Sequence, residues 1–217
     1  MADDPLIARF QALDVCALSD ALDRLKLPSA VSGLDPQTVR RRICGRVSTV
    51  KFAAGSRVGA RHACTAAVEA CPPGGVVLIE QRTGVDAAGW GGILSRAART
   101  RGLAGAIVDG PARDIDEALE VGFPVFSRGA TARTARGRIF EVDTACPVVI
   151  GEVTVEPGDY AVADSSGVVF IKPANALEVL QAAEAIAARE AAMSRDVEAG
   201  QPVSQVMGAS YEHMLQG

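Results

Sequence analysis

An arginine followed directly by an aspartate, Arg113-Asp114, stands where the apolar run Gly105-Ala106-Ile107-Val108-Asp109 gives way to a stretch with helical spacing. The guanidinium can clamp a carboxylate through two parallel hydrogen bonds, and the carboxylate is a hard oxygen ligand for a divalent cation. Together they would bind a 2-oxo acid by its carboxylate and its carbonyl. The alternative is plainer: Asp114 caps a helix and Arg113 makes a surface ion pair. A second feature is the glycine-rich stretch Gly84-Val85-Asp86-Ala87-Ala88-Gly89-Trp90-Gly91-Gly92-Ile93, which follows another apolar run and opens a helix. Bare backbone amides at a helix start bind anions, and glycines let a ligand come close. The stretch therefore reads as a carboxylate or phosphate site around Gly91, Gly92 and Ile93, or as a simple turn, since neither dinucleotide-binding nor P-loop spacing is present.

Other chemistries lack material. Two histidines, His62 and His213, give little for a histidine-based triad or a multi-histidine metal site. The five cysteines are scattered, never C-x-x-C, and read as reduced small hydrophobes. Lys51 ends a strand with nothing nearby to lower its pKa, which disfavours Schiff-base catalysis. Arg128, Arg133, Arg136 and Arg138 form a basic cluster, either a solvated loop or a patch for a second substrate carboxylate. Trp90 either lines a pocket or anchors its loop.

The elements that must hold these residues alternate. Strands are expected at Cys44–Ala53, Val76–Glu80, Gly105–Asp109 and Pro124–Ser127, and helices at His62–Ala70, Ile93–Arg101 and Asp114–Val121. In such α/β layers ligands collect at the carboxyl ends of the strands, where Arg113-Asp114 stands. Two short helices are expected over Pro5–Leu25, with a helix start at Ser19-Asp20. A meander of short strands follows from Pro147 to Ile171, and a long helix runs to about Glu198 before Gly200. The 217 residues carry 22 basic and 26 acidic side chains, a net charge of −4, and only 4% aromatics, so neither nucleic acid nor an anionic membrane is an expected partner. The acidic start Met1-Ala2-Asp3-Asp4-Pro5 lacks the order of a secretory signal, no apolar run is long enough to span a bilayer, and a cytoplasmic location is expected.

Leu18-Ser19-Asp20-Ala21-Leu22, Gly45-Arg46-Val47-Ser48-Thr49-Val50, Gly91-Gly92-Ile93-Leu94, Val108-Asp109-Gly110-Pro111-Ala112-Arg113-Asp114, Phe123-Pro124-Val125-Phe126, Pro157-Gly158-Asp159 and Asp164-Ser165-Ser166-Gly167-Val168-Val169 occur in this order. The chain thereby resembles the RraA-like family, which contains class II pyruvate aldolases acting on 4-hydroxy-4-methyl-2-oxoglutarate or 4-carboxy-4-hydroxy-2-oxoadipate and the RraA regulators of ribonuclease E. The resemblance implies an α/β class, a single-domain α/β/β/α sandwich over residues 1–217 with a C-terminal helix and arm from about 174. It implies a homotrimer or homohexamer with sites between subunits. It implies Mg²⁺ or Mn²⁺ on Asp114 and waters, Arg113 on the substrate, the backbone of Gly91, Gly92 and Ile93 on the substrate carboxylate, and a glutamate from a neighbouring C-terminal helix, Glu190 first and Glu184 second.

Two departures stand out. The family reads Gly-Asp-Leu or Gly-Glu-Leu where this chain has Gly91-Gly92-Ile93, and Gly55-Ser56-Arg57 replaces a common Gly-Asp-Asn. Asp86 and Asp109 are candidates to replace the missing acid. The expected function is a metal-dependent lyase that cleaves 4-hydroxy-2-oxo dicarboxylic acids to pyruvate, or decarboxylates oxaloacetate, through a metal-stabilised pyruvate enolate. The alternatives are a protein-binding RNase regulator and an enzyme turned to another substrate, for which Gly92 would enlarge the cavity.

Overall fold

The computed structural model describes residues 4–57 and 62–208. Two short helices open it, α1 (Pro5–Ala12) and α2 (Val15–Arg24), each started by an aspartate whose carboxylate accepts a backbone N–H: Asp4 from Leu6 and Asp14 from Ala17. The expected helix start at Ser19-Asp20 is thus displaced. Those residues lie inside α2, because Asp14 supplies the cap and α2 carries its buried positions Val15, Leu18, Ala21 and Leu22 on one face.

The chain then runs β1 (Asp35–Pro36), β2 (Ile43–Ala54), α3 (Thr65–Ala70), β3 (Val76–Glu80), α4 (Gly92–Thr100), β4 (Gly105–Ala112), α5 (Ile115–Glu120), β5 (Val125–Ala130) and β6 (Ile139–Thr144). It continues with β7 (Val148–Ile150), β8 (Val153–Val155), β9 (Tyr160–Asp164), β10 (Gly167–Ile171), the 23-residue α6 (Ala176–Glu198) and α7 (Val203–Val206). The helix expected from His62 begins only at Thr65, since Cys64 adopts a left-handed conformation with φ of 66°. β6 and β1 were not expected. β6 is polar, with a mixed burial pattern that gives no clean alternation.

Strand order is β1-β5-β4-β3-β2-β9-β10, with β6 also on β2. β2 through β5 are parallel neighbours, while β9 pairs antiparallel with the first half of β2 (Ile43 to Arg46) and β6 with its second half (Val50 to Ala54). The long β2 therefore belongs to both faces of a folded-over sheet.

Three apolar clusters fix the layers. Val50, Val77, Ile79, Val108 and Val125 pack under α3, α4 and α5 with Trp90 and Phe123. Val47, Val76, Leu78, Ile107 and Phe126 meet Ala161, Ala163, Val168 and Phe170 between the two sheet faces. Tyr160, Val162, Val169 and Ile171 meet α1, α2 and α6. Helix, sheet, sheet and helix are stacked in that order, each burying its apolar side on the next. The expected α/β/β/α sandwich is the observed one.

Candidate active site

Parallel β4 delivers Arg113 and Asp114 at its carboxyl end, directly before α5. Asp114 is left-handed there, with φ of 55° and ψ of 42°, a conformation that costs a non-glycine residue energy and is held only when its surroundings dictate it. One of those surroundings is the start of α4. The Gly92 amide donates to Asp114 Oδ2 at 3.0 Å, and the Arg113 Nε lies 3.3 Å from the same oxygen. The glycine loop is tied to β4 by backbone bonds from Gly89 to Pro111 and from Arg113 to Trp90.

The glycines are needed for this approach. Gly91 has extended backbone that any residue adopts, but a Cβ there would sit 2.9 Å from Asp114 Oδ2 and 3.4 Å from Arg113 Nε. A Cβ at Gly92 would lie 3.1 Å from Asp114 Cβ and 2.7 Å from the Glu117 carboxyl carbon, overlapping Glu117 Oε2. Glu117, on the first turn of α5, was not foreseen as a site residue. Its signal was the spacing Asp114-x-x-Glu117, which puts two carboxylates on one helix face.

The expected site residues come together unevenly. Arg113, Asp114, Gly91, Gly92 and Ile93 line one cavity of about 90 Å³. Of the amides at the amino end of α4, that of Gly92 is engaged by Asp114, whereas those of Ile93 and Leu94 meet no acceptor among the described residues. Asp114 Oδ1 likewise accepts no hydrogen bond among them. A second cleft of about 370 Å³ adjoins the cavity, sharing His62 and Arg113 and adding Arg57, Arg136 and Glu141. Glu141 is occupied, accepting from the Cys64 amide at 2.6 Å and the Thr144 hydroxyl at 2.7 Å. The cleft therefore offers three guanidinium groups and suits an anion with more than one carboxylate.

Glu190 and Glu184 lie on α6, and neither is among the residues that line this cavity. Burial, then the charges of Asp14 and Asp20, push the Glu190 carboxyl above its ordinary pKa. Glu184 is paired with Arg9 of α1 at 2.8 Å by both oxygens, which lowers its pKa. Among the described residues no three His, Cys, Asp or Glu side chains of one chain converge as a metal cluster.

Neither candidate for the missing acid reaches the cavity. Asp86 stays in its loop 3.4 Å from Arg133, and Asp109 is buried against Arg128 at 2.8 Å and the Gly151 amide at 2.7 Å. The basic cluster is dispersed by these contacts: Arg128 turns to Asp109, Arg133 to Asp86, and Arg138 to the Thr134 carbonyl, leaving Arg136 at the cleft. Trp90 anchors its loop, buried, donating to Ser95 at 2.9 Å and stacked on Phe123. Lys51 pairs with Glu80 at 3.4 Å. His213 lies outside the described residues.

Comparison with known proteins bears on the family and the fold. The chain is 31% identical over 197 residues to a Halalkalibacterium halodurans protein named "Putative 4-hydroxy-4-methyl-2-oxoglutarate aldolase", with 90% of each chain covered. It is 26% identical over 189 residues to Protein DlpA of Legionella pneumophila, but spans only 31% of that protein's length. The fold matches an uncharacterised Pseudomonas syringae protein at a TM-score of 0.83 and 30% identity, covering 94% of this chain and 96% of that one. It also matches Streptomyces coelicolor RraAS2, described as an unusual member of the RNase ES inhibitor RraA protein family, at a TM-score of 0.80 and 27% identity, covering 89% and 96%. The family model RraA-like (Aldolase/RraA) matches residues 15–170, and the chain belongs to that family.

Proposed function

We propose that the protein is a divalent-metal-dependent lyase that releases pyruvate from 4-hydroxy-2-oxo dicarboxylic acids, or from oxaloacetate by decarboxylation. The observation that carries this reading is the left-handed Asp114, held with Arg113 against the amino end of α4 at the carboxyl end of a parallel strand.

The donor chemistry fits a hard cation that keeps most of its water. Asp114 Oδ1 accepts no hydrogen bond among the described residues, no cysteine is among those lining the cavity, and Mg²⁺ commonly uses one or two carboxylates with waters. Asp114 is the proposed ligand, with Glu190 of a neighbouring copy completing the shell in a homotrimer or homohexamer. When bound, Mg²⁺ or Mn²⁺ polarises the 2-oxo group and stabilises negative charge on its oxygen.

The chain's own residues do the rest. Arg113 holds the 2-oxo acid end and shares the charge of the pyruvate enolate as the C3–C4 bond breaks. The free amides of Ile93 and Leu94 receive the carboxylate at the amino end of α4. Arg57 and Arg136 in the adjoining cleft receive the distal carboxylate. The test is pyruvate release from oxaloacetate and from 4-hydroxy-4-methyl-2-oxoglutarate with Mg²⁺ or Mn²⁺, alongside Asp114→Asn. Metal-dependent release that Asp114→Asn abolishes is the expected result. No release and no Mn²⁺ binding would overturn it in favour of a regulator like the RNase inhibitors.

A further inference from the structure

Resting on the lyase reading, we infer that Glu117 is the second acid of the site and the acceptor of the substrate's hydroxyl proton. Its carboxylate occupies the space beside the α4 amino end that any side chain at 92 would fill, against Gly92 and next to Asp114, both of which line the cavity. The only side-chain partner among the described residues is Arg96, whose Nε is 3.6 Å from Oε2 with both side chains 47% exposed. So loose a pair leaves the carboxylate free to turn to a ligand. Asp109 cannot take this place, because it is buried against Arg128 and the Gly151 amide, and it is the Glu117 carboxylate, not that of Asp86, that stands against Gly92. Glycine at 92 and glutamate at 117 are thus one arrangement: the first leaves the room that the second uses.

In the cleavage, the 4-hydroxyl proton passes to Glu117 while its O–H pair becomes the new carbonyl bond and the C3–C4 pair moves to the enolate. Water then protonates C3, giving pyruvate and hydroxide, and protonated Glu117 neutralises the hydroxide, returning the site to its starting state. Oxaloacetate has no hydroxyl proton to remove, since carbon dioxide leaves directly, so its decarboxylation does not need this residue.

The experiment compares wild type, Glu117→Gln, Gly92→Ala and the double variant on both substrates, with Mn²⁺ binding followed by electron paramagnetic resonance. Alanine at a helix start is well tolerated, and its methyl displaces the flexible end of Glu117 and presses on Asp114 Cβ at 3.1 Å, which a shift of a few tenths of an ångström relieves, so Gly92→Ala folds. Glu117→Gln is expected to lower kcat for 4-hydroxy-4-methyl-2-oxoglutarate by about 100-fold, the scale of one general base. In Glu117→Gln, oxaloacetate decarboxylation and Mn²⁺ affinity stay near wild type, Gly92→Ala loses aldol cleavage as well, and the double variant is no worse in aldol cleavage than the poorer single variant. Unchanged aldol cleavage in Glu117→Gln overturns the inference. So does equal loss of both activities with weaker Mn²⁺ binding, which would make Glu117 a metal ligand. So does an additive double variant. Wild-type protein inactive on both substrates would instead overturn the lyase reading, and the role of Glu117 with it.

Discussion

Replacing Asp114 by asparagine, glycine and alanine separates what this residue does for the fold from what it does for the chemistry. Asparagine tolerates the left-handed conformation and its side-chain oxygen can still accept from the Gly92 amide, so Asp114→Asn should keep the wild-type melting temperature. Alanine loses both. The left-handed backbone costs a Cβ-bearing residue about 1 kcal/mol, and the half-exposed bond to Gly92 contributes up to about 1 kcal/mol more. The sum, about 1–2 kcal/mol, lowers Tm by about 2–8 °C in a chain of this size. Glycine relieves the backbone strain but not the lost acceptor, and should fall between. Differential scanning calorimetry reads the stabilities, and a coupled lactate dehydrogenase assay reads pyruvate. All three variants should be inactive, because each removes the charge. Asp114→Ala as stable as wild type would refute the argument from strain and capping. Asp114→Asn retaining activity would refute the need for a carboxylate.

Three further expectations are independent of that one. Arg136→Ala should raise KM for a dicarboxylate substrate while leaving kcat near wild type, because Arg136 lies in the adjoining cleft and not beside Asp114; steady-state kinetics with equal loss in kcat would count against it. Cys44, Cys64 and Cys71 are buried, and burial pushes their thiols up, that of Cys44 to about 12, so in native protein a thiol reagent should modify exposed Cys16 first and these three only after unfolding, as mass spectrometry of trapped peptides can show. Tyr160 is raised to about 12 by burial and by its hydrogen bond to Asp4, so folding favours its neutral form. The resulting stability is complete below the ordinary pKa of 10 and declines as pH rises towards 12, and Tyr160→Phe should flatten that alkaline limb in denaturant titrations.

The sequence by itself determined most of the elements and their order, β1 and β6 excepted. Val76–Glu80 and the short strands around Val148, Val153, Tyr160 and Val168 stand where apolar runs and turn residues put them, because a buried strand needs little beyond local pattern. Arg113-Asp114 and the glycine loop were also legible, since glycines before a helix and charge at a strand end are local features.

What only the tertiary structure decided were the partnerships between segments distant in the chain. Asp109 looks from sequence as available as Asp114, yet β4 turns Asp109 inward to Arg128 and Gly151 and carries Asp114 to the rim. Of four arginines close in sequence, three face different partners and Arg136 faces the cleft for the same reason. Glu117 reads as an ordinary acid of a helix's first turn until α4 is packed beside it with a glycine at the point of contact. Local pattern fixes which way a strand or helix faces, but the space left beside a side chain depends on which other element is packed there, and no single segment encodes that.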